Sequence, residues 1–338
     1  MGGDRLKAQG VELLAELDTL AVMGFVEVLS RLPYFWRLER EVIRLIEVER
    51  PDLVVLVDYP GFNLRIARAA HMRRCRVLYY IPPKVWAWKR SRARTLAAST
   101  HGVATILPFE TELLARYGAN AQYVGNPLLD RADAVAGRDE CFRAWGLDAR
   151  RPLLGVLPGS RVQELDQHLE PFLEIARAVV KRRPDVQVVF SRAESMGTER
   201  FDLVEFPVVT ETRALQRWSD AALVKSGTST LETALERTPF VIAYRTSRLT
   251  SWLVRRVLRI DHIGLPNLVA DRRIVPEVLQ DEVSPSVVVP MLLELLDAGS
   301  PMRAQQVRDL DLVIERLGGR GASEKVAEMA MTIMRDRA

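Results

Sequence analysis

Short β-branched runs alternate with helix-length amphipathic stretches along almost the whole chain, and this alternation restricts the fold more than any other feature. Strand-like runs fall at 53–58, 76–81, 102–107 and 122–124, then at 153–157, 186–190, 204–209, 221–224 and 240–243. Between them, 62–73, 90–99, 110–117, 165–183 and 229–237 carry helical spacing of apolar residues. Parallel strands need crossovers long enough to hold a helix, so the pattern predicts α/β architecture with parallel sheets covered on both faces. A polar stretch at 133–146 precedes a fresh strand and a Pro-Gly turn. We therefore expect two Rossmann-like, doubly wound units facing a cleft, spanning 1–140 and 150–300. The remaining 301–338, with helices at 301–317 and 323–335, would finish the second unit or cross back onto the first.

The 338 residues suffice for two cores, and 48% hydrophobic with 27% charged content excludes disordered and fibrous classes. Two cysteines, Cys75 and Cys141, cannot build a disulfide framework, and the four histidines stand too far apart for zinc-ligand spacing. Both facts favour a reducing compartment and argue against a structural metal. No apolar run approaches the length of about 18 residues that suggests a membrane span, and no secretory signal is visible at the start. The net charge of +4 suits a phosphate-bearing ligand or an anionic surface. That charge is dispersed and no nucleic-acid module is recognisable, so a nucleic-acid partner is not expected.

Two glycine turns carry the strongest chemistry. In LPGSR at 157–161, a strand runs through Gly159 into a helix, where unpaired backbone donors and the helix dipole favour an anion. Ser160 and Arg161 add a hydroxyl and a fixed positive charge. The competing reading is an ordinary strand-to-helix turn capped by Ser. In KSGTS at 225–229, Ser226, Gly227 and Thr228 repeat the arrangement, with Glu232 one turn into the helix. A capping box made by Thr228 or Ser229 with Glu232 explains that turn equally well. Two such turns in one α/β unit favour a nucleoside-diphosphate site, with Glu232 on the ribose hydroxyls. In the first unit, Asp58 closes a strand where open sheets bind ligands, which makes it a candidate general base or a helix cap. The loop PPKVWAWK at 82–89 offers Trp86 and Trp88 to a sugar or acyl chain and Lys84 and Lys89 to phosphate, or packs on the core with its lysines solvated.

Seven ordered motifs make the chain familiar: DYPGFNL at 58–64, PKVWAW at 83–88, LPFE at 107–110, VGNP at 124–127, LPGSR at 157–161, SGTSTLE at 226–232 and LPNLVA at 265–270. Together they resemble the lipid-A-disaccharide synthases, bacterial inverting glycosyltransferases of the GT-B type, over essentially the whole chain. The resemblance implies transfer of 2,3-diacylglucosamine from its UDP derivative to 2,3-diacylglucosamine 1-phosphate, giving UDP and lipid A disaccharide 1-phosphate. It implies no metal or redox cofactor. It gives Asp58 the proton of the attacking hydroxyl and assigns Arg161 and the backbone at 159–160 and 227–228 to the departing diphosphate. Glu232 falls to the ribose, while Asn267, Arg272, Asn126 and Trp86 are further substrate contacts by motif position.

The run at 20–36 holds Val22, Met23, Phe25, Val26, Leu29, Phe35 and Trp36 beside Arg31, Arg37, Arg40 and Arg44. Periodicity alone favours a core helix with solvated arginines. The resemblance favours an interfacial helix instead, on a cytoplasmic protein peripherally bound to the anionic inner membrane. A second basic stretch, WLVRRVLR at 252–259, would act likewise. The family also includes homodimers formed by C-terminal exchange, a role open to 301–335. The resemblance starts after the family's opening strand and its GExSGD turn, so those are expected to be missing here, and Gly61 stands where a variant of the Asp58 motif has a second acid. Rival readings are another GT-B enzyme acting on UDP-N-acetylglucosamine and a non-catalytic binder of UDP-sugar or lipid.

Overall fold

A computed structural model describes residues 2–16, 32–87, 90–131, 134–246 and 262–335. After a short helix α1 (Asp4–Ala8) and the long α2 (Leu32–Glu49), strands and helices alternate. The first unit runs β1 (Leu53–Val57), α3 (Pro60–Met72), β2 (Arg76–Tyr80), α4 (Ser91–Ser99), β3 (Gly102–Thr105), α5 (Pro108–Ala115) and β4 (Ala121–Tyr123). Its four strands are parallel, in the order β1-β2-β3-β4. Successive side chains of a strand point to opposite faces, and the two faces are covered differently. Val77, Tyr79 and Val103 meet α2, α3 and α4 through Phe35, Leu38, Ala67, Ala70, Ala93 and Leu96. Leu78, Ala104 and Val124 meet the last helix instead.

A 3-10 turn, Pro127–Asp130, leads into the second unit. There, α6 (Arg138–Ala144) stands within the stretch expected to be a polar connection, and Phe142 packs with Leu153 and Val189 of the second sheet and with Leu215 from the helix at 212–218. The order continues β5 (Leu153–Leu157), α7 (Val162–Arg182), β6 (Gln187–Ser191), β7 (Val208–Val209), α8 (Thr212–Trp218), β8 (Ala221–Lys225), α9 (Thr228–Leu235) and β9 (Phe240–Tyr244). Next come α10 (Leu265–Ala270), β10 (Glu277–Leu279), α11 (Pro285–Leu296), α12 (Pro301–Leu317) and α13 (Ala322–Arg335). Six parallel strands lie in the order β10-β9-β8-β5-β6-β7. The chain leaves β5 to one side for β6 and returns to its other side for β8, so the topological switch point lies between β5 and β8. Register pairs Leu157 with Val224, which puts the turns after both strands side by side.

The last two helices divide their packing. Leu310, Val313 and Leu317 of α12 are buried against the second unit. After the turn at 318–321, Met329 and Ile333 of α13 lie on the first sheet. Asp130 fastens that return. Its carboxylate accepts the backbone N–H groups of Gly321, Ala322 and Ser323 at 2.7, 3.3 and 2.9 Å, and the Ser323 hydroxyl at 3.1 Å. A third apolar cluster joins the units where the strands end: Leu107, with Trp86, Phe109 and Leu128 against it, shares a core with Leu157, Val224 and Leu231. The carboxyl ends of both sheets therefore face one another. Among the described residues, no helix is long and apolar enough to cross a membrane.

Candidate active site

The two glycine turns form one electrostatic unit. Gly159 has φ +128°, and a Cβ there would sit 2.7 Å from Glu164 Cβ and 2.8 Å from its Oε2, so glycine is required on both counts. Glu164 Oε2 accepts the Ser160 backbone N–H at 3.0 Å, while Oε1 pairs with Lys225 Nζ at 2.6 Å. Arg161 approaches the same carboxylate at 3.7 Å. Lys225 ends β8, and its ammonium lies 3.4 Å from where a Cβ on Gly227 would be. The first turn's acid thus reaches the second turn's cation. Burial opposes the charge on Glu164, but the hydrogen bond and charge of Lys225, with the Ser160 N–H, outweigh it and hold the carboxyl below its usual range. Burial pushes the Lys225 ammonium down, beyond what Glu164 restores.

His168 locks this pair from behind. Its Nε2 accepts the Arg245 N–H at 2.9 Å, so the proton sits on Nδ1, which donates to the Glu164 carbonyl at 2.7 Å. Burial lowers its pKa, more than the bond to that carbonyl raises it. The imidazole ring lies 5.8 Å from the Tyr244 ring, over which Lys225 Nζ stands at 6.0 Å.

Neither expected helix cap forms at these turns. No side chain caps α9, where Gly227 is the N-cap residue, and Glu232 instead pairs at 2.9 Å with Arg131 from the connection between units. Ser226 Oγ donates to the Ile263 carbonyl at 3.3 Å, tying the second turn to the loop before α10. Thr228 is exposed at the first position of α9.

At the first sheet, Asp58 and Tyr59 have φ +47° and +46°, and Ile81, after β2, has φ +60°. Left-handed conformations at three non-glycine residues on one sheet edge are costly, and such strain concentrates at working sites. The Asp58 carbonyl is held by Asn63 Nδ2 at 2.8 Å and by the Tyr79 hydroxyl at 2.7 Å, which leaves its exposed carboxylate aimed by a fixed backbone. Burial raises the Tyr79 pKa, and the Asp58 charge adds to it.

Several motif residues have structural employment. Asn267 is fully buried and uses every polar atom: Oδ1 accepts from Ile274 and Val275 N–H at 2.8 Å, while Nδ2 donates to the Val275 carbonyl and to Glu277 Oε1. No hydrogen-bonding capacity is left for a ligand, contrary to the expectation for this residue. Asn126, also buried, donates to the Ile106 carbonyl and accepts Leu128 N–H, capping the turn between units rather than facing a substrate. Arg272 pairs with Asp309 at 2.5 Å, joining the end of α10 to α12. Trp86 is partly buried, edge-on to Phe109 at 5.7 Å, with Nε1 donating to Glu110 at 3.1 Å. Phe35 is only 8% exposed and belongs to the first core, because α2 turns it toward Tyr59, so it is no lipid contact; neighbouring Trp36 is 55% exposed. Val22, Met23, Phe25, Val26 and Leu29, like Trp88, Lys89 and 252–259, lie outside the described residues.

Sequence reasoning missed Glu164, Lys225, His168 and Glu110 as site residues. The first two were visible as an early helix acid and as the residue opening KSGTS, but their meeting depends on β5 and β8 being neighbours. Lys84 connects the two units electrostatically, since its charge bears on both Glu110 and Lys225.

Residues 1–333 match the family model described as lipid-A-disaccharide synthetase. The lipid-A-disaccharide synthase of Geobacter sulfurreducens is 37% identical over 346 residues, covering 99% of this chain and 88% of that protein. That of Myxococcus xanthus is 36% identical over 341 residues, covering 99% and 89%. Among solved structures, the UDP-GlcNAc 2-epimerase from Neisseria meningitidis bound to UDP-GlcNAc superimposes with a TM-score of 0.63 at 12% identity, covering 97% of this chain and 87% of that one. At that identity the likeness is one of fold: two Rossmann-like units facing a cleft.

Proposed function

This chain belongs to the lipid-A-disaccharide synthase family, glycosyltransferases of lipid A biosynthesis, and from that premise we propose that it joins UDP-2,3-diacylglucosamine to 2,3-diacylglucosamine 1-phosphate. The observation that carries the reading is the pair of glycine turns at the switch point, with backbone donors, Arg161 and Lys225 gathered there. A sugar diphosphate is the ligand such a cradle suits, because its charge grows as the glycosidic bond to the β-phosphate oxygen breaks. Asp58 takes the proton of the acceptor's 6-hydroxyl as that oxygen attacks the anomeric carbon from the face opposite the leaving UDP, so the configuration inverts. Glu232 exchanges Arg131 for the ribose hydroxyls.

The acceptor and donor both carry acyl chains, and the helical face of the first unit suits them. Trp36, Arg37, Arg40 and Arg44 are exposed along α2. Beside it, a groove of about 750 Å³ between α3 and α4 is lined by Leu64, Met72, Arg68 and Arg94 among others. Apolar floor and basic rim fit an anionic lipid surface. The C-terminal exchange expected of a homodimer would set α13 on a partner's sheet in place of its own, which size-exclusion measurement distinguishes.

The deciding assay compares UDP release from diacylated and N-acetylated UDP-glucosamine donors with the lipid acceptor present. Disaccharide formed only from the diacylated donor supports the reading. Turnover of the N-acetylated donor alone overturns it in favour of another GT-B activity, and UDP binding without disaccharide leaves a binder.

A further inference from the structure

Glu164 occupies the place an anion would take. Its carboxylate lies over Gly159, the residue whose missing side chain opens that space, and it holds the Ser160 N–H and the Lys225 ammonium at 3.0 and 2.6 Å. Capping does not account for this contact. The N-cap residue of α7 is Arg161, and a capping-box acid returns to the N-cap N–H, whereas Glu164 reaches one residue further back, to Ser160. Without this acid, Lys225 would stand half-buried with the charges of Arg161 and Lys84 bearing on it and no counter-charge.

Accepting the nucleotide-sugar reading of the two turns, we infer that Glu164 is a resident counter-anion of the diphosphate cradle, exchanged for the diphosphate of the donor and returning as UDP leaves. Entry of the donor moves the Ser160 N–H and the Lys225 ammonium from carboxylate to phosphate oxygens, and no covalent bond changes. The exchange keeps the cradle neutralised in both states. It also weakens UDP binding, since every phosphate contact is made at the expense of one already present. A glycosyltransferase gains from that arrangement: the product is displaced from the site by a group already tethered beside it.

The test measures binding of uridine, UMP and UDP to the full-length chain by calorimetry, for wild type, Glu164→Gln, Lys225→Met and the double variant. Gln keeps the shape and the acceptor for Ser160 while removing the charge. Expected is UDP affinity about tenfold tighter in Glu164→Gln, an effect the size of one charge-assisted contact, with uridine unchanged. Lys225→Met weakens UDP binding, and in the double variant the gain from Glu164→Gln disappears. In steady state, Glu164→Gln lowers KM for the donor and lowers kcat, with stronger inhibition by added UDP, a split that a purely structural acid would not produce. Glu164→Ala, which cannot bond Ser160, keeps the inference open to refutation where Gln folds poorly, and is also expected to bind UDP more tightly. Unchanged or weaker UDP binding in folded Glu164→Gln or Glu164→Ala overturns the exchange. If wild type binds neither uridine nor UDP, the nucleotide reading itself falls, and this inference with it.

Discussion

Glu110 is a carboxyl group whose proton belongs to the fold. It is 4% exposed at the start of α5, accepting Trp86 Nε1 at 3.1 Å and the Leu107 N–H at 3.2 Å. Burial raises its pKa to about 7, more than those hydrogen bonds and the Lys84 charge lower it. A raised acid pKa means that the folded state binds the proton more tightly than the unfolded chain does. Its contribution is complete below the ordinary value of 4.5 and is lost as pH rises through about 7. Stability should therefore fall by about 2–3 kcal/mol from this group between those limits. Glu110→Gln should flatten that part of the profile, which denaturant midpoints from pH 5 to 8 would measure; an unaltered slope assigns it to other groups. Gly159→Ala argues the same close-packing logic for the turn. With φ +128° and a Cβ 2.7 Å from that of Glu164, the variant should lose UDP affinity by at least about tenfold while keeping its helix content by circular dichroism.

At the scale of elements, α13 is the least self-explanatory. Its apolar stripe is short, and what holds it is the sheet it covers together with Asp130 at its N-terminus. Burial works against the charge of Asp130, but four donors outweigh it and keep the carboxyl below its usual range. The depressed value stabilises above about pH 4, and that stabilisation is lost as pH falls. Asp130→Ala should cost about 1–2 kcal/mol, as the loss of a helix cap does, and protease cleavage near 318–321 should accelerate. A rate equal to wild type would show that the sheet contact alone holds the helix. Legibility in the sequence follows from this contrast. A strand such as Leu153–Leu157 declares itself because buried parallel strands are apolar on both faces. Leu53–Val57 carries the same apolar run although it is the edge strand of its sheet, with Val55 and Val57 exposed. β10 and α6 escaped notice because β10 is three residues long and α6 carries Asp139 and Glu140 among few apolar positions. Among site residues, glycine turns are legible because their backbone role excludes other residues. The structural employment of Asn267 is not legible, because a conspicuous amide looks the same in sequence whether it serves a ligand or holds four buried partners, as it does in this structure.

For the whole molecule, the unequal treatment of its surfaces carries the last prediction. The cleft edge is closed by a shared apolar cluster, while the outer face of the first unit displays Trp36 with Arg37, Arg40 and Arg44, and continues into the groove edged by Arg68 and Arg94. The overall charge of +4 is modest, and on this face the arginines stand among Glu39, Glu41, Glu47 and Glu49 of the same helix. Of these, Glu39 pairs with Arg65 and Glu47 with Arg73, so what a bilayer meets is a local cluster of exposed arginines rather than a uniformly basic surface. Each arginine near an anionic bilayer contributes roughly 1 kcal/mol, attenuated over a Debye length of about 8–10 Å at physiological salt. Sedimentation with vesicles containing a quarter phosphatidylglycerol should retain the protein at low salt and release it as salt rises toward half-molar. The charge reversals Arg40→Glu and Arg44→Glu together should weaken retention by at least about tenfold, since both sit on solvent-facing positions of α2 and neither contacts the glycine turns. UDP binding by that variant should stay at the wild-type level, which separates loss of the surface from loss of the fold. Equal retention on neutral vesicles, or on anionic vesicles regardless of salt, would mean that apolar insertion rather than this basic face governs attachment.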